Sequence, residues 1–308
     1  MNEKVQLLAD NIEKAIIGKR EVIIKLIVAL LSGGHVLIED VPGVGKTRLV
    51  SALSASVNGK CNRIQFTPDL MPSDITGFTM INQKTGETEY RSGAAMCNFL
   101  LADEINRASP KAQSALLEIM EELQVSVDGV THKLPVPFMA LATQNPVETY
   151  GTYHLPEAQM DRFIMKLSVG YPAAAEEMEI LDLGGEKRDS LSSVISLEDI
   201  VSLREEAQKV TVHPTVKKYI IDIVTATRES EFTILGASPR GSIALHTAAK
   251  ALALINGRNY VVPDDVKSLA VDVLAHRLML SPKGKSVHAV PAKAMEAILA
   301  EVPVPAVN

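Results

Sequence analysis

The sequence has 308 residues, enough for two domains with separate cores, since about 100 to 200 residues per domain is usual. Its 46% hydrophobic and 22% charged residues exclude a disordered chain, and 4% aromatics without tryptophan argue against a surface built to stack bases or sugars. A formal net charge of −6, from 31 basic and 37 acidic side chains, excludes a global positive field that would draw nucleic acid or anionic membrane, leaving only a local basic groove open.

The opening "MNEKVQLLADNIEK" is polar and amphipathic, unlike a signal peptide, and points to a cytoplasmic protein. Two helices are predicted, over residues 3–16 and 19–31. The longest apolar run, Val22 to Leu31, is short and holds Lys25, so no membrane span is expected. "HVLIE" reads as a strand, then a glycine loop, then the helix "KTRLVSALSASVNG" closed by Asn58-Gly59. "CNRIQF", "NFLLADE", "PFMALATQN" and "RFIMKLSV" read as further strands. "SPKAQSALLEIMEELQ" is a helix opened by an N-cap Ser109 and first-turn Pro110. Strands alternating with helices imply an α/β fold, a parallel sheet covered on both faces.

Two segments break the alternation. "TMINQKTGETEYR" and "QVSVDGVTHKLP" carry turn signals, the second an Asp128-Gly129, and read as inserted β-hairpins. After Tyr171-Pro172 the pattern becomes helical only, with helices starting near Ala173, Ser196, Pro214, Ser238 and Pro263. Residues 1–171 are therefore expected to form an α/β nucleotide-binding domain and 172–308 a helical lid domain with a frayed tail. Cys61 and Cys97 lack C-x-x-C spacing and are expected to be reduced core thiols, and the seven histidines show no metal-ligand spacing.

"VLIEDVPGVGKTRLV" carries the first chemistry. A phosphate loop wants glycine six residues before its lysine, and here Asp40 stands there ahead of Lys46. Gly43 and Gly45 let successive amides turn toward phosphate oxygens, and Pro42 stiffens the entry. The whole run Pro42, Gly43, Val44, Gly45, Lys46, Thr47 and Arg48 is expected to wrap the phosphates. Lys46 would reach the β and γ phosphates, and Thr47 would ligate Mg²⁺ at a helix N-terminus. Asp40 is expected to tolerate the turn's dihedrals and to aim its carboxylate away, at a backbone N–H. "NFLLADE" then places Asp103 and Glu104 at the C-terminal end of a buried strand, where ligands of parallel sheets bind. Asp103 suits the Mg²⁺ and Glu104 suits the polarisation of an attacking water.

With "EDVPGVGKT", the segments "FTPDLMPSDITG", "ADEINRASPKAQSALLEIMEE", "ATQNP", "LPEAQMDRF" and "GASPRGS" resemble the MoxR family of AAA+ ATPases over nearly the whole chain. That family often lacks the first loop glycine, so the resemblance makes Asp40 a family habit. A departure is "YRSGAAMCNF", where the family has a more proline-rich, aromatic "FRPGPIF", which bears on the exit of the first hairpin. The resemblance implies Asn145 as first sensor orienting the water, Arg162 as an arginine finger for a neighbouring subunit, and Arg240 as second sensor across the domain cleft. It also implies Ile17 and Gly18 as part of the adenine pocket, and Arg107 as a further inter-subunit contact.

Two function classes follow. The first is an ATP-hydrolysing, Mg²⁺-dependent, chaperone-like remodelling enzyme. The resemblance implies for it a ring of six subunits, the maturation of protein complexes or metal-cofactor enzymes as its task, and a von Willebrand factor A domain protein as adaptor. The second is a nucleic-acid motor, which needs basic hairpin tips. Lys84 and Arg91 are offset by Glu87 and Glu89, and Lys133 and His132 stand beside Asp128, which favours a protein client and no nucleic acid.

Overall fold

The computed structural model describes residues 1–41, 43–84, 86–145, 152–182 and 191–306. Asn2 caps the first helix, α1 (Glu3–Glu13), its side chain accepting from the amides of Lys4 and Val5. Helix α2 (Arg20–Leu31) buries Ile23 and everything from Leu26 to Leu31, so it is an interior helix. Each of its fully buried Val, Leu and Ile side chains contributes about 1.5–3 kcal/mol by leaving water. Strand β1 (Val36–Glu39) leads through the glycine loop into α3 (Lys46–Ser56). That helix ends where Asn58 takes a left-handed conformation and the Gly59 amide reaches back to the Ser54 carbonyl at 2.9 Å. There follow β2 (Cys61–Gln65), the short α4 (Pro72–Thr76), the hairpin β3 (Gly77–Ile81) and β4 (Thr88–Ser92), and β5 (Phe99–Asp103). Next come α5 (Pro110–Glu122), the hairpin β6 (Gln124–Val127) and β7 (Val130–Lys133), β8 (Met139–Gln144), α6 (Glu157–Met160) and β9 (Met165–Leu167).

Five strands form one parallel sheet in the order β2-β5-β8-β1-β9. β5, β8 and β1 are buried along nearly their whole length, which is why they read as unbroken apolar runs, whereas edge strand β2 alternates exposed and half-buried residues. The parallel register brings the polar strand ends into line, Gln65 beside Asp103 and Glu39 beside Gln144, at the C-terminal end of the strands. The second hairpin turns on Asp128 and Gly129, both at positive φ, as a two-residue turn of that composition demands. The two hairpins touch: the Tyr90 and His132 rings stack at 3.8 Å. At the exit of the first hairpin, the amides of Ala94 and Ala95 bond the Asp74 and Ile75 carbonyls of α4, and a Cβ on Gly93 would collide with that backbone.

The C-terminal part comprises α7 (Ala174–Asp182), α8 (Leu197–Lys209), α9 (Pro214–Glu229), β10 (Thr233–Leu235) and α10 (Pro239–Ile255). It continues with α11 (Pro263–Leu274), β11 (Met279–Leu280), α12 (Pro282–His288) and α13 (Pro291–Glu301). Among the described residues it is helical apart from turns and the antiparallel ribbon of β10 and β11, which the sequence pattern does not reveal. One hydrophobic core packs α5, β6 and the inserted hairpin region under one face of the sheet. The other runs from α1, α2 and α3 directly into α8 to α11 and α13. Arg204 Nε bonds the Leu30 carbonyl at 2.7 Å, and the Asn2 amide bonds the Ile255 carbonyl at 2.7 Å, so the N-terminal helices are packed into the lid.

Both cysteines are free. Only Cys97 is a core thiol, pushed by burial up to about 12; Cys61 is exposed, because it opens the edge strand. His35, fully buried just before β1, accepts the Ala140 amide at Nδ1 (3.0 Å), so its Nε2 carries the proton donated to the Met120 carbonyl (2.9 Å). Burial lowers its pKa to about 4. The ring thereby ties the start of β1 to the last turn of α5.

Candidate active site

The loop after β1 is shaped by Gly43 and Gly45, at φ +89° and +92°. A Cβ on Gly43 would meet nothing within 4 Å, so glycine is needed there for its dihedral and not for space. Gly45 is the N-cap of α3 and offers no side-chain cap, which leaves the first-turn amides to an anion. Lys46 folds back to donate to the Asp40 carbonyl at 2.9 Å. Pro42 lies outside the described residues. Val44 is half-buried and packs against the hydrophobic core.

Asp40 is buried and does not adopt positive φ, so unusual dihedrals are not what places it there. Its Oδ2 accepts the Ser168 hydroxyl at 3.2 Å, the Gly170 amide at 3.1 Å and the Val169 amide. The carboxylate thus faces the segment after β9 and stitches the end of β1 to it.

Across the cavity, Asp103 ends β5. Its Oδ1 accepts the Thr143 hydroxyl at 2.6 Å and its Oδ2 accepts Arg63 Nη2 at 2.7 Å. Glu104 is left-handed, φ 56° and ψ 50°, a conformation that costs a non-glycine residue about 1 kcal/mol or more and is held by its surroundings. Its amide donates to the same Thr143 hydroxyl at 2.8 Å. Its Oε2 accepts Gln65 Nε2 at 2.7 Å and Arg107 Nη1 at 3.0 Å. Asn145 is buried just beyond β8.

These elements enclose a cavity of about 430 Å³, with Gly43, Gly45, Lys46, Thr47 and Arg48 on one wall and Arg63, Gln65, Asp103, Glu104 and Asn145 on the other. Arg63, Gln65 and Thr143 are the contributors that motif reading misses. The alternation of "CNRIQ" on an edge strand, placed beside "NFLLAD", is the signal that could have found the first two.

Thr47 and Asp103 bring two oxygen donors to the same cavity, suited to a hard divalent cation. No group of three or more His, Cys, Asp or Glu among the described residues could hold a metal alone. A Mg²⁺ here would therefore share its coordination with phosphates and water, its usual mode in such sites.

Besides Val44, four of the described residues expected at the site, Ile17, Gly18, Arg162 and Arg240, are not in this cavity's walls. Ile17 is half-buried and Gly18 exposed, against the segment from Tyr171 to Glu176: Lys19 Nζ bonds the Tyr171 carbonyl at 2.8 Å, and a Cβ on Gly18 would overlap the Glu176 carboxylate. Their neighbour Ile16 does approach the loop, its Cδ1 lying 3.5 Å from where a Gly45 Cβ would be. Arg240, expected as a sensor across the domain cleft, meets Glu121 at 2.9 Å, and Arg162 meets the same carboxylate at 3.2 Å. The position of α10, which the sequence does not specify, decides this. Arg162 lines a second, smaller cavity of about 260 Å³ beside α5.

Residues 35–165 match the family described as ATPase family associated with various cellular activities (AAA), and residues 225–298 match the AAA lid domain. The chain is 53% identical over 278 residues to the uncharacterized protein YeaC of Bacillus subtilis, covering 90% of this chain and 87% of that one. It is 43% identical over 307 residues to Chaperone MoxR1 of Mycobacterium tuberculosis, covering 97% and 81%. A solved protein of Cytophaga hutchinsonii, assigned there as a candidate ATPase, superposes with a TM-score of 0.91 at 40% identity, covering 98% of this chain and 95% of that one.

Proposed function

The chain belongs to the MoxR family of AAA+ ATPases, and from that membership we propose that it is an Mg²⁺-dependent, ring-forming remodelling ATPase acting on proteins. The ring is hexameric, and a von Willebrand factor A domain protein delivers the client, a protein complex or metal-cofactor enzyme under maturation. The observation that carries the reading is the convergence of Lys46, Thr47, Asp103, Glu104 and Asn145 on one cavity. Lys46 and the first-turn amides of α3 hold the β and γ phosphates. Thr47 and Asp103 would hold Mg²⁺, which supplies neutralisation of phosphate charge. Glu104 takes the proton of the attacking water, and Asn145 orients that water. Gln65 and Arg107 fix Glu104's carboxylate until the water competes for it.

Protein clients are favoured over nucleic acid because Arg91 is paired with Glu89 at 3.4 Å, and because the first hairpin exposes Phe78 and Ile81. Apolar side chains grip chain, while phosphates call for cations. Glu104→Gln should bind ATP yet turn it over at least about a hundredfold more slowly, since a positioned acid–base group contributes about 10²–10⁴. Full turnover in that variant would reject the assignment. Single- or double-stranded DNA at about 0.15 M salt should neither bind tightly nor raise the rate; submicromolar, steeply salt-dependent binding would move the function to a nucleic-acid motor.

A further inference from the structure

We propose that Glu121 is an internal counter-ion: it holds Arg162 and Arg240 side by side in the isolated subunit and surrenders both to the terminal phosphate of a nucleotide bound by the neighbouring subunit. The inference rests on the ring reading given above.

One carboxylate serves two guanidinium groups here, one oxygen to each: Oε1 to Arg240 Nη2 at 2.9 Å and Oε2 to Arg162 Nη1 at 3.2 Å. Arg162 also donates to the Leu117 carbonyl, one turn back on the same helix, at 2.7 Å. The three side chains come from α5, the residue two past α6, and the first turn of α10.

Their juxtaposition does not depend on Glu121. Directly behind them, buried Arg277 grips Asp161 at 2.7 Å and also bonds the Phe163 carbonyl at 2.8 Å. The other oxygen of Asp161 accepts the Ser238 hydroxyl at 2.8 Å, and that hydroxyl caps α10 by accepting the Arg240 amide at 3.1 Å. Asp161 precedes Arg162 and Ser238 stands two before Arg240, so this buried frame sets the two arginines together by itself. Glu121, at 40% side-chain exposure, is the displaceable member; half-exposed ion pairs of this kind hold little stability.

Two guanidinium groups presented together form a fork that fits phosphate oxygens. A terminal phosphate carries more charge and more acceptor oxygens than one carboxylate, so it outcompetes Glu121 once it is brought within reach. Glu118 and Glu122 line the cavity next to Arg162 and repel a free anion. The arginines therefore stay loaded with Glu121 until a phosphate arrives fixed to another subunit, which makes occupancy a report of assembly.

The test is sedimentation velocity on wild type and Glu121→Gln with a non-hydrolysable ATP analogue and Mg²⁺. With its competitor removed, the variant should reach half-assembly at a protein concentration at least about fivefold lower, the low end of ordinary coupling, with its melting temperature nearly unchanged. In an Arg162→Ala/Arg240→Ala background the same substitution should shift nothing. An unchanged or higher assembly concentration overturns the proposal, as does a shift that persists without the arginines. Wild type that never assembles with the analogue overturns the ring reading, and this inference with it.

Discussion

The Lys46 cavity and the Glu121 arginine cluster are both built around charge, but by different means. The first lies at the C-terminal ends of the strands of one sheet, where parallel register places Gln65 beside Asp103 and the loop's own backbone supplies the donors. Its acids are met from adjacent strands, Asp103 by Arg63 and Glu104 by Gln65. The second is assembled from three distant segments around a single carboxylate and has no backbone cradle. A backbone-built site can bind a nucleotide unaided; two arginines on a rigid frame can only respond to a nucleotide presented to them. The sharpest way to break this contrast is Arg162→Ala. That variant should bind ATP normally yet lose a factor of about 10³ in turnover, the scale of an arginine finger. Mixed with Lys46→Ala subunits, inactive alone, it should regain partial activity, because some interfaces then pair an intact loop with an intact arginine. Complementation of that kind needs a head-to-tail arrangement. Exchanging subunits that stay inactive would place Arg162's action within its own chain.

The two regions were unequally legible in the sequence. Strand, glycine loop and helix from Val36 to Ser56 are local, as is the acid pair closing "NFLLADE", so spacing and turn chemistry suffice to find them. Thr143, which binds Asp103 and the Glu104 amide through one hydroxyl, depends on β8 lying next to β5, and strand order is a long-range property with no local signal. The place of Arg240 beside Arg162 escapes motif reading for the same reason: its helix start is marked by Ser238 and Pro239, but nothing local says that Asp161 will receive Ser238. The helix at Pro282 has an equally plain Ser-Pro start with Ser281 as cap, a local signal as clear as that of α10. The ribbon strands, three and two residues long, are too short to show any period.

His35 joins the two regions, since β1 leads into the phosphate loop and Met120 immediately precedes Glu121. Its folded pKa, about 4, lies below the ordinary 6.5 because burial penalises the charged ring. Between those values the unfolded chain binds a proton that the folded one refuses, so stability falls as pH drops from about 6.5 to 4 and levels off below. The full loss from this residue is about 3 kcal/mol. His276 adds in the same direction, burial and the adjacent Arg277 lowering its pKa too. Melting temperatures from pH 7 to 4 should therefore decline less steeply in His35→Gln than in wild type. Parallel curves would mean that the link between β1 and α5 is not what acid breaks.

The smallest effect is expected at Asp40, and it separates what the phosphate loop needs for binding from what it needs for anchoring. Its carboxylate serves Ser168, Val169 and Gly170 and not the cavity, so Asp40→Gly should leave ATP affinity within a few-fold. The cost should fall on stability: a buried amide left without its acceptor costs about 1–3 kcal/mol, lowering the melting temperature. Asp40→Asn keeps an acceptor oxygen at the same place and should recover most of that loss, with affinity again little changed. Calorimetric titration with ATP beside thermal melts of both variants distinguishes the two effects. A hundredfold gain in affinity for Asp40→Gly, about 2.7 kcal/mol, would mean that the carboxylate repels the nucleotide after all. The stitch to the segment after β9 would then be incidental to why an acid stands where the phosphate-loop pattern expects glycine.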